Sequence, residues 1–220
     1  MSVVHPNRVG GWWSSVVLIV AALLLSAPAS AQSRVSLRGF GDVGRTTFAA
    51  TQSFTAVLGS DTGRAFGGGV DVVFARRVFV TVRVSRFRRV GQRVFLFNGM
   101  QFDLGIPTTI TVTPLELTAG YRFDRGWRLV PYGGAGISRN RYEETSAFSE
   151  ADENIDARFS GYHLMGGAEV RLAQWLGAAA EAQWATVPNA FGNDPNSVSH
   201  EFEESNLGSM TFRLKVVIGR

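Results

Sequence analysis

Ser209-Met210-Thr211-Phe212-Arg213-Leu214-Lys215-Val216-Val217-Ile218-Gly219 decides the fold. Met210, Phe212, Leu214, Val216 and Ile218 fall on one face, and Ser209, Thr211, Arg213, Lys215 and Gly219 fall on the other. A strict period of two is the pattern of a β-strand with one apolar face. Two charges in the middle of the opposite face mean that this face is not a conventional hydrophobic core.

The same alternation recurs upstream. Leu176, Ala178, Ala180, Ala182 and Trp184 oppose Gly177, Ala179, Glu181, Gln183 and Ala185. Tyr162, Leu164, Gly166, Ala168, Val170 and Leu172 oppose His163, Met165, Gly167, Glu169 and Arg171. Leu115, Leu117, Ala119, Tyr121 and Phe123 oppose Glu116, Thr118, Gly120 and Arg122. Val78, Val80, Val82 and Val84 oppose Phe79, Thr81, Arg83 and Ser85, while Phe66, Val70, Val72 and Phe74 oppose Gly67, Gly69 and Asp71. Gly-rich segments at Val35–Gly44 and Trp127–Asn140 complete a set of eight strands.

The connections alternate in length. Ala75-Arg76-Arg77, Asp124-Arg125-Gly126 and Ala173-Gln174 are tight turns, whereas 47–63, 143–156 and 188–205 are long and polar. Arg86 to Pro107 contains Asn98-Gly99, the strongest two-residue hairpin signal. Pairing Phe97 with Met100 sets Val80 opposite Leu117 and Phe79 opposite Thr118, predicting one long ribbon without a register slip. Short, long, short, long is the rhythm of an up-and-down barrel, and an even strand count puts both ends on the short-turn side.

A soluble ligand-binding barrel points its polar residues outward, and a membrane barrel does the reverse. Asp71, Arg83, Glu116, Arg122, Glu169, Arg171, Glu181, Arg213 and Lys215 all share the Gly- and Ala-bearing face. The opposite face carries essentially no charge through its middle. A charge on a lipid face costs roughly 2–4 kcal/mol at the midplane, so the charged face is the lumen. The expected fold class is all-β: an eight-stranded antiparallel up-and-down transmembrane β-barrel. Phe74, Phe123, Trp127 and Trp175 flank the short turns as a candidate periplasmic aromatic girdle, with Tyr162 and Trp184 at the opposite boundary.

Residues 1–31 read as a cleaved secretory signal: Arg8, an apolar run from Val16 to Leu25, then Pro28-Ala29-Ser30-Ala31 before Gln32. The barrel domain is then 32–220, which contains no cysteine. An exported chain without disulfides needs another closure, such as a sealed sheet. Without Arg8, 21 of the 22 basic residues face 18 acidic ones, a balance of +3 that is too mild to argue for nucleic acid.

In its strand–turn rhythm, its Val130-Pro131-Tyr132-Gly133-Gly134-Ala135-Gly136 strand and its alternating last strand, the chain resembles the small OmpA/OmpX-like outer-membrane β-barrel domain family. That resemblance implies the cell outer membrane of a Gram-negative-type bacterium, contact with its lipid and lipopolysaccharide, and insertion by the barrel assembly machinery. Family members typically end in an aromatic residue, whereas this chain ends Ile218-Gly219-Arg220 with Phe212 the only aromatic of the last strand. Assembly recognition is therefore expected to differ or to be looser.

No catalytic constellation or cofactor motif stands out. His163 is expected in the lumen and His200 in an acidic loop, neither with a serine two residues away on the same strand face. Gly67-Gly68-Gly69 lacks the Lys-Ser/Thr ending and following helix of a phosphate loop. Arg86, Arg88, Arg89 and Arg93 beyond Arg83 form a basic stretch suited to lipopolysaccharide phosphates. Acidic residues (Glu143, Glu144, Glu150, Asp152, Glu153, Asp156, Asp194, Glu201, Glu203 and Glu204) occupy the other long connections as solubilising loops. The reading is a non-enzymatic barrel acting in surface interaction or envelope integrity, with an unknown extracellular ligand. The alternative is a narrow porin-like channel whose lumen charges rearrange to pass ions or small solutes.

Overall fold

The computed structural model describes residues 35–97, 100–146, 154–192 and 197–219. The signal segment, Asn98-Gly99, and Glu150, Asp152, Glu153 and Asp194 of the acidic loops lie outside the described residues. Eight antiparallel strands close into one barrel, each bonded to its sequence neighbours and β1 to β8. The strands are β1 (Val35–Phe48), β2 (Thr62–Phe74), β3 (Val78–Phe97), β4 (Met100–Arg122), β5 (Leu129–Ser146), β6 (Ile155–Arg171), β7 (Leu176–Thr186) and β8 (Ser209–Gly219).

Closure leaves no free sheet edge, which is what lets a sheet cross lipid with its backbone groups satisfied. The burial pattern is inside-out. Phe66 and Leu214 are 62% and 66% exposed on the outer surface, while Asp71, Glu116, Glu169, Glu181, Arg213 and Lys215 are buried in the lumen. Phe74, Phe123, Trp127 and Trp175 are all exposed at the short-turn end. Tyr162 and Trp184 meet edge-to-face with ring centroids 6.3 Å apart near the other end.

At the first short turn the amide of Arg77 donates to the Phe74 carbonyl at 3.0 Å. Ala75 and Arg76 both adopt positive φ, 48° and 63°. This is the turn geometry that matches strand twist, built here without glycine.

Three expectations are corrected. First, β3 and β4 do not run on without a slip: Phe97 pairs with Met100 and Phe95 with Phe102, but the register shifts between Gln92 and Val94. Val80 therefore faces Ala119, and Phe79 faces Gly120. The extra residues lie on β4 around Gly105, whose φ of +67° breaks the regular pleat. Second, β5 begins at Leu129 rather than Trp127 and continues to Ser146. Glu143 and Asp156, read as loop residues, are direct cross-strand partners on β5 and β6. Third, the 47–63 connection contains a helix, α1 (Thr51–Leu58). Between β7 and β8 lies a single helical turn, α2 (Val198–Glu201).

Candidate functional site

The barrel interior is built in three tiers. At the short-turn end, Arg38 of β1 donates to Asp71 of β2 at 3.0 Å and to both oxygens of Glu169 of β6 at 3.0 and 2.9 Å. Arg122 of β4 donates to the same Glu169 at 2.9 Å. Two guanidinium groups thus face two carboxylates.

The middle tier holds three cations and three carboxylates. Arg83 donates to Asp42 at 2.7 Å and lies 3.7 Å from Glu116 and 3.9 Å from Glu181. Arg213 donates to Glu181 at 2.9 Å, and Lys215 lies 3.9 Å from that residue. The Lys215 ammonium also stands 3.7 Å from the Phe40 ring centroid and 3.7 Å from Asp71, which links the two tiers. Tyr132 donates to Glu181 at 3.1 Å, and Gln183 donates to Glu116 at 2.6 Å. Each tier sums to zero charge. Three of the ion pairs are direct cross-strand partners, Arg38–Asp71, Arg83–Glu116 and Glu181–Arg213, and Lys215 stands opposite Asp42 in register.

Just beside this tier, His163 is buried and its Nε2 lies 2.7 Å from the Thr118 hydroxyl. The ring is seated on Gly136, where a Cβ would come within 2.7 Å of that Nε2. An open vestibule of about 870 Å³ lies below Arg38, Arg122 and Glu169, and a gap of about 40 Å³ lies above Arg83, Glu116 and Arg213, but free space between the charged side chains of the two tiers is about 10 Å³ at each of two places. That is about the least that admits one water molecule.

The upper tier is apolar, and the sequence reading did not anticipate it. α1 lies across the mouth at the long-connection end, and Phe54 and Leu58, four residues apart on one helix face, point down into it. Phe54 stacks on Phe48 at 4.2 Å, and Phe48 meets Phe87 edge-on at 4.9 Å. Ile110, Val112, Tyr142, Val187 and Leu207 complete a buried cluster. Ala50 gives the helix no side-chain cap. Glu204 from the β7–β8 connection supplies one instead, accepting from the amides of Gln52 and Ser53 at 2.9 and 2.8 Å. Gly59 ends the helix with φ 70°.

Of the nine lumen residues read from sequence, eight meet in the two charged tiers. Arg171 shares their face but sits at the mouth, where it pairs with Asp124. Burial pushes the Asp124 carboxyl up, but the Gly126 amide and the Arg171 guanidinium outweigh it and hold the pKa below its ordinary value. Arg38 and Asp42 were missed because the Gly-rich β1 shows no clean alternation. The basic stretch splits: Arg86 and Arg88 point outward, Arg89 donates to the Thr62 carbonyl at 2.7 Å, and Arg93 is exposed farther along the ribbon.

The model of the outer membrane protein beta-barrel domain matches residues 17–216. No curated protein matches the chain. Among solved structures, Neisserial surface protein A is similar at 12% identity and TM-score 0.51, over 84% of this chain and 96% of that one. A major outer membrane protein from Thermus thermophilus is similar at 11% identity and TM-score 0.54, over 84% and 99%. Identities this low speak for the fold alone. The closed ring of eight strands with charges inside and apolar side chains outside agrees with the matched domain, and the chain belongs to the outer membrane protein beta-barrel domain family and resides in the outer membrane.

Proposed function

We propose that this protein is a non-enzymatic outer-membrane barrel, closed to solutes, that acts in surface interaction or envelope integrity through its extracellular side. The observation that carries the reading is the three-tier interior. Two charge-balanced tiers with almost no free space lie beneath an apolar plug of α1 and its neighbours. An eight-stranded lumen is only wide enough to be filled by side chains, and moving one member of a buried ion pair leaves an uncompensated charge. The histidines support the non-enzymatic part: His163 is bonded to Thr118 inside the barrel, and the His200 ring bonds the Gly192 carbonyl. Residues 1–31 serve as the export signal in this reading, and the barrel assembly machinery inserts the strands. Lipopolysaccharide contact falls to the outward arginines.

Planar bilayer recording of the purified full chain tests the closed state. The expected result is no reproducible unit conductance. Steady steps in the wild type that are abolished by Glu116→Gln or Arg213→Gln would replace this reading with the porin-like channel.

A further inference from the structure

The outer surface carries two facing arginine pairs that the protein treats differently. On β5 and β6, Arg141 and Arg158 are direct cross-strand partners, beyond the apolar belt. Like charges directly opposite one another destabilise a sheet. Here the chain supplies the counter-charge itself: Arg141 donates to both oxygens of Asp156 at 3.0 and 2.8 Å and lies 3.1 Å from Glu143.

On β1 and β2, Arg45 and Arg64 stand in the same relation. Phe66 pairs with Arg86 and Ala65 with Phe87, so Arg88 follows level with Arg64 on the next rung. All four arginines are exposed on the outward face, immediately above Val43, Phe66 and Val84 of the lipid-facing belt. Among the described residues none of the four has an acidic partner; Arg64, Arg86 and Arg88 line an open concavity of about 550 Å³ beside Phe66, and Arg45 adjoins it as the cross-strand partner of Arg64.

We propose that Arg45, Arg64, Arg86 and Arg88 form a binding site for a lipid of the outer leaflet whose headgroup carries more than one phosphate. Three neighbouring strands span about 10 Å. Four guanidinium groups over that width exceed what one singly charged phosphodiester neutralises. Phosphate monoesters carry about −1.5 to −2 each near neutral pH, and two of them balance the set. Guanidinium forks suit the bidentate geometry of phosphate oxygens. The position fixes the rest of the ligand: with phosphates at arginine level, acyl chains run down over Phe66, Val70 and Val82. The inference rests on the proposed orientation, with the short turns in the periplasm.

The test is native mass spectrometry of the detergent-solubilised full chain with four probes: diphosphoryl lipid A, monophosphoryl lipid A, phosphatidylglycerol and inorganic phosphate. The wild type is expected to retain diphosphoryl lipid A about tenfold more tightly than the monophosphoryl form, equivalent to ~1.4 kcal/mol. Arg64→Gln/Arg86→Gln and Arg45→Gln/Arg88→Gln should each lose that preference, and Arg139→Gln on β5 should keep it. Heat-modifiable gel mobility reports folding of every variant. Equal retention by wild type and both double variants overturns the site. So does phosphatidylglycerol binding as tightly as diphosphoryl lipid A, which means general anion attraction. Displacement by millimolar inorganic phosphate overturns it in favour of a free-phosphate site. Labelling of Gln101→Cys and Arg125→Cys with a membrane-impermeant thiol reagent on intact cells tests the orientation separately. Reaction at 125 but not at 101 would sink the orientation, whatever the lipid result.

Discussion

Glu181→Gln is the sharpest test of the charge-balanced lumen. Glu181 accepts from Arg213 at 2.9 Å and from Tyr132 at 3.1 Å, and it has Arg83 and Lys215 at 3.9 Å. Glutamine preserves the shape and one acceptor oxygen but removes the charge, leaving three cations against Asp42 and Glu116. A unit-charge attraction at about 4 Å is worth ~4 kcal/mol at an effective dielectric of about 20. Removing one partner of a buried pair costs about 3–5 kcal/mol by mutational precedent. Repulsion from Asp42 and Glu116 already acts on Glu181, so the expected loss is near one pair, about 4 kcal/mol, rather than the sum of three attractions. The assay is urea unfolding in phospholipid vesicles, followed by tryptophan fluorescence and by heat-modifiable mobility. With a urea dependence of about 2 kcal/mol/M, the midpoint should fall by about 2 M. Glu181→Gln/Arg213→Gln restores neutrality and is expected to be more stable than the single variant. A single-variant loss under about 1 kcal/mol, or single losses that simply add in the double variant, would refute the reasoning.

Three further outcomes follow from particular contacts. Gly136→Ala should destabilise by about 1–3 kcal/mol in the same assay, because the new methyl meets the Leu117 carbonyl and the His163 ring. Ala75→Asn/Arg76→Gly should stabilise by about 1–2 kcal/mol, since both positions sit at positive φ; an unchanged urea midpoint would show that the turn is unstrained. The folded-state pKa of Asp124 is depressed, so its contribution is present above the ordinary value of 3.8 and is lost as pH falls through the lower folded value. Asp124→Asn should remove that part of the acid dependence, and an identical pH–stability curve for variant and wild type would contradict it.

What could be read from the chain was whatever repeats with period two. Leu214, Phe212 and their counterparts declare the lipid face because each sits two residues from the next, and Arg213, Lys215 and Glu181 declare the lumen by the same spacing. Arg38 and Asp42 stayed hidden because Gly39 and Gly41 interrupt the apolar face of Leu37 and Val43 that would alternate with them. The plug was illegible for another reason. Phe48, Phe54, Leu58, Phe87 and Leu207 come from four separate stretches, and only closure of the barrel brings them over one another. The arginine site was half visible: Arg86 and Arg88 stand out in sequence, while Arg45 and Arg64 join them only through strand register.

The lumen pairs also bear on how the barrel finds its own alignment. Sliding β8 by two residues against β1 would leave every apolar side chain facing lipid, so the outer surface cannot tell the slipped barrel from the correct one. The interior can. In the native register Lys215 stands opposite Asp42; in either slipped one it stands opposite Phe40 or Gly44, and the opposite charge directly across the seam is gone. Seven of the eight strands contribute charged side chains to the two tiers, so they balance only when the last seam closes in place. The interior charges thus act as a proofreader of closure, penalising a misaligned seam that the greasy exterior would tolerate.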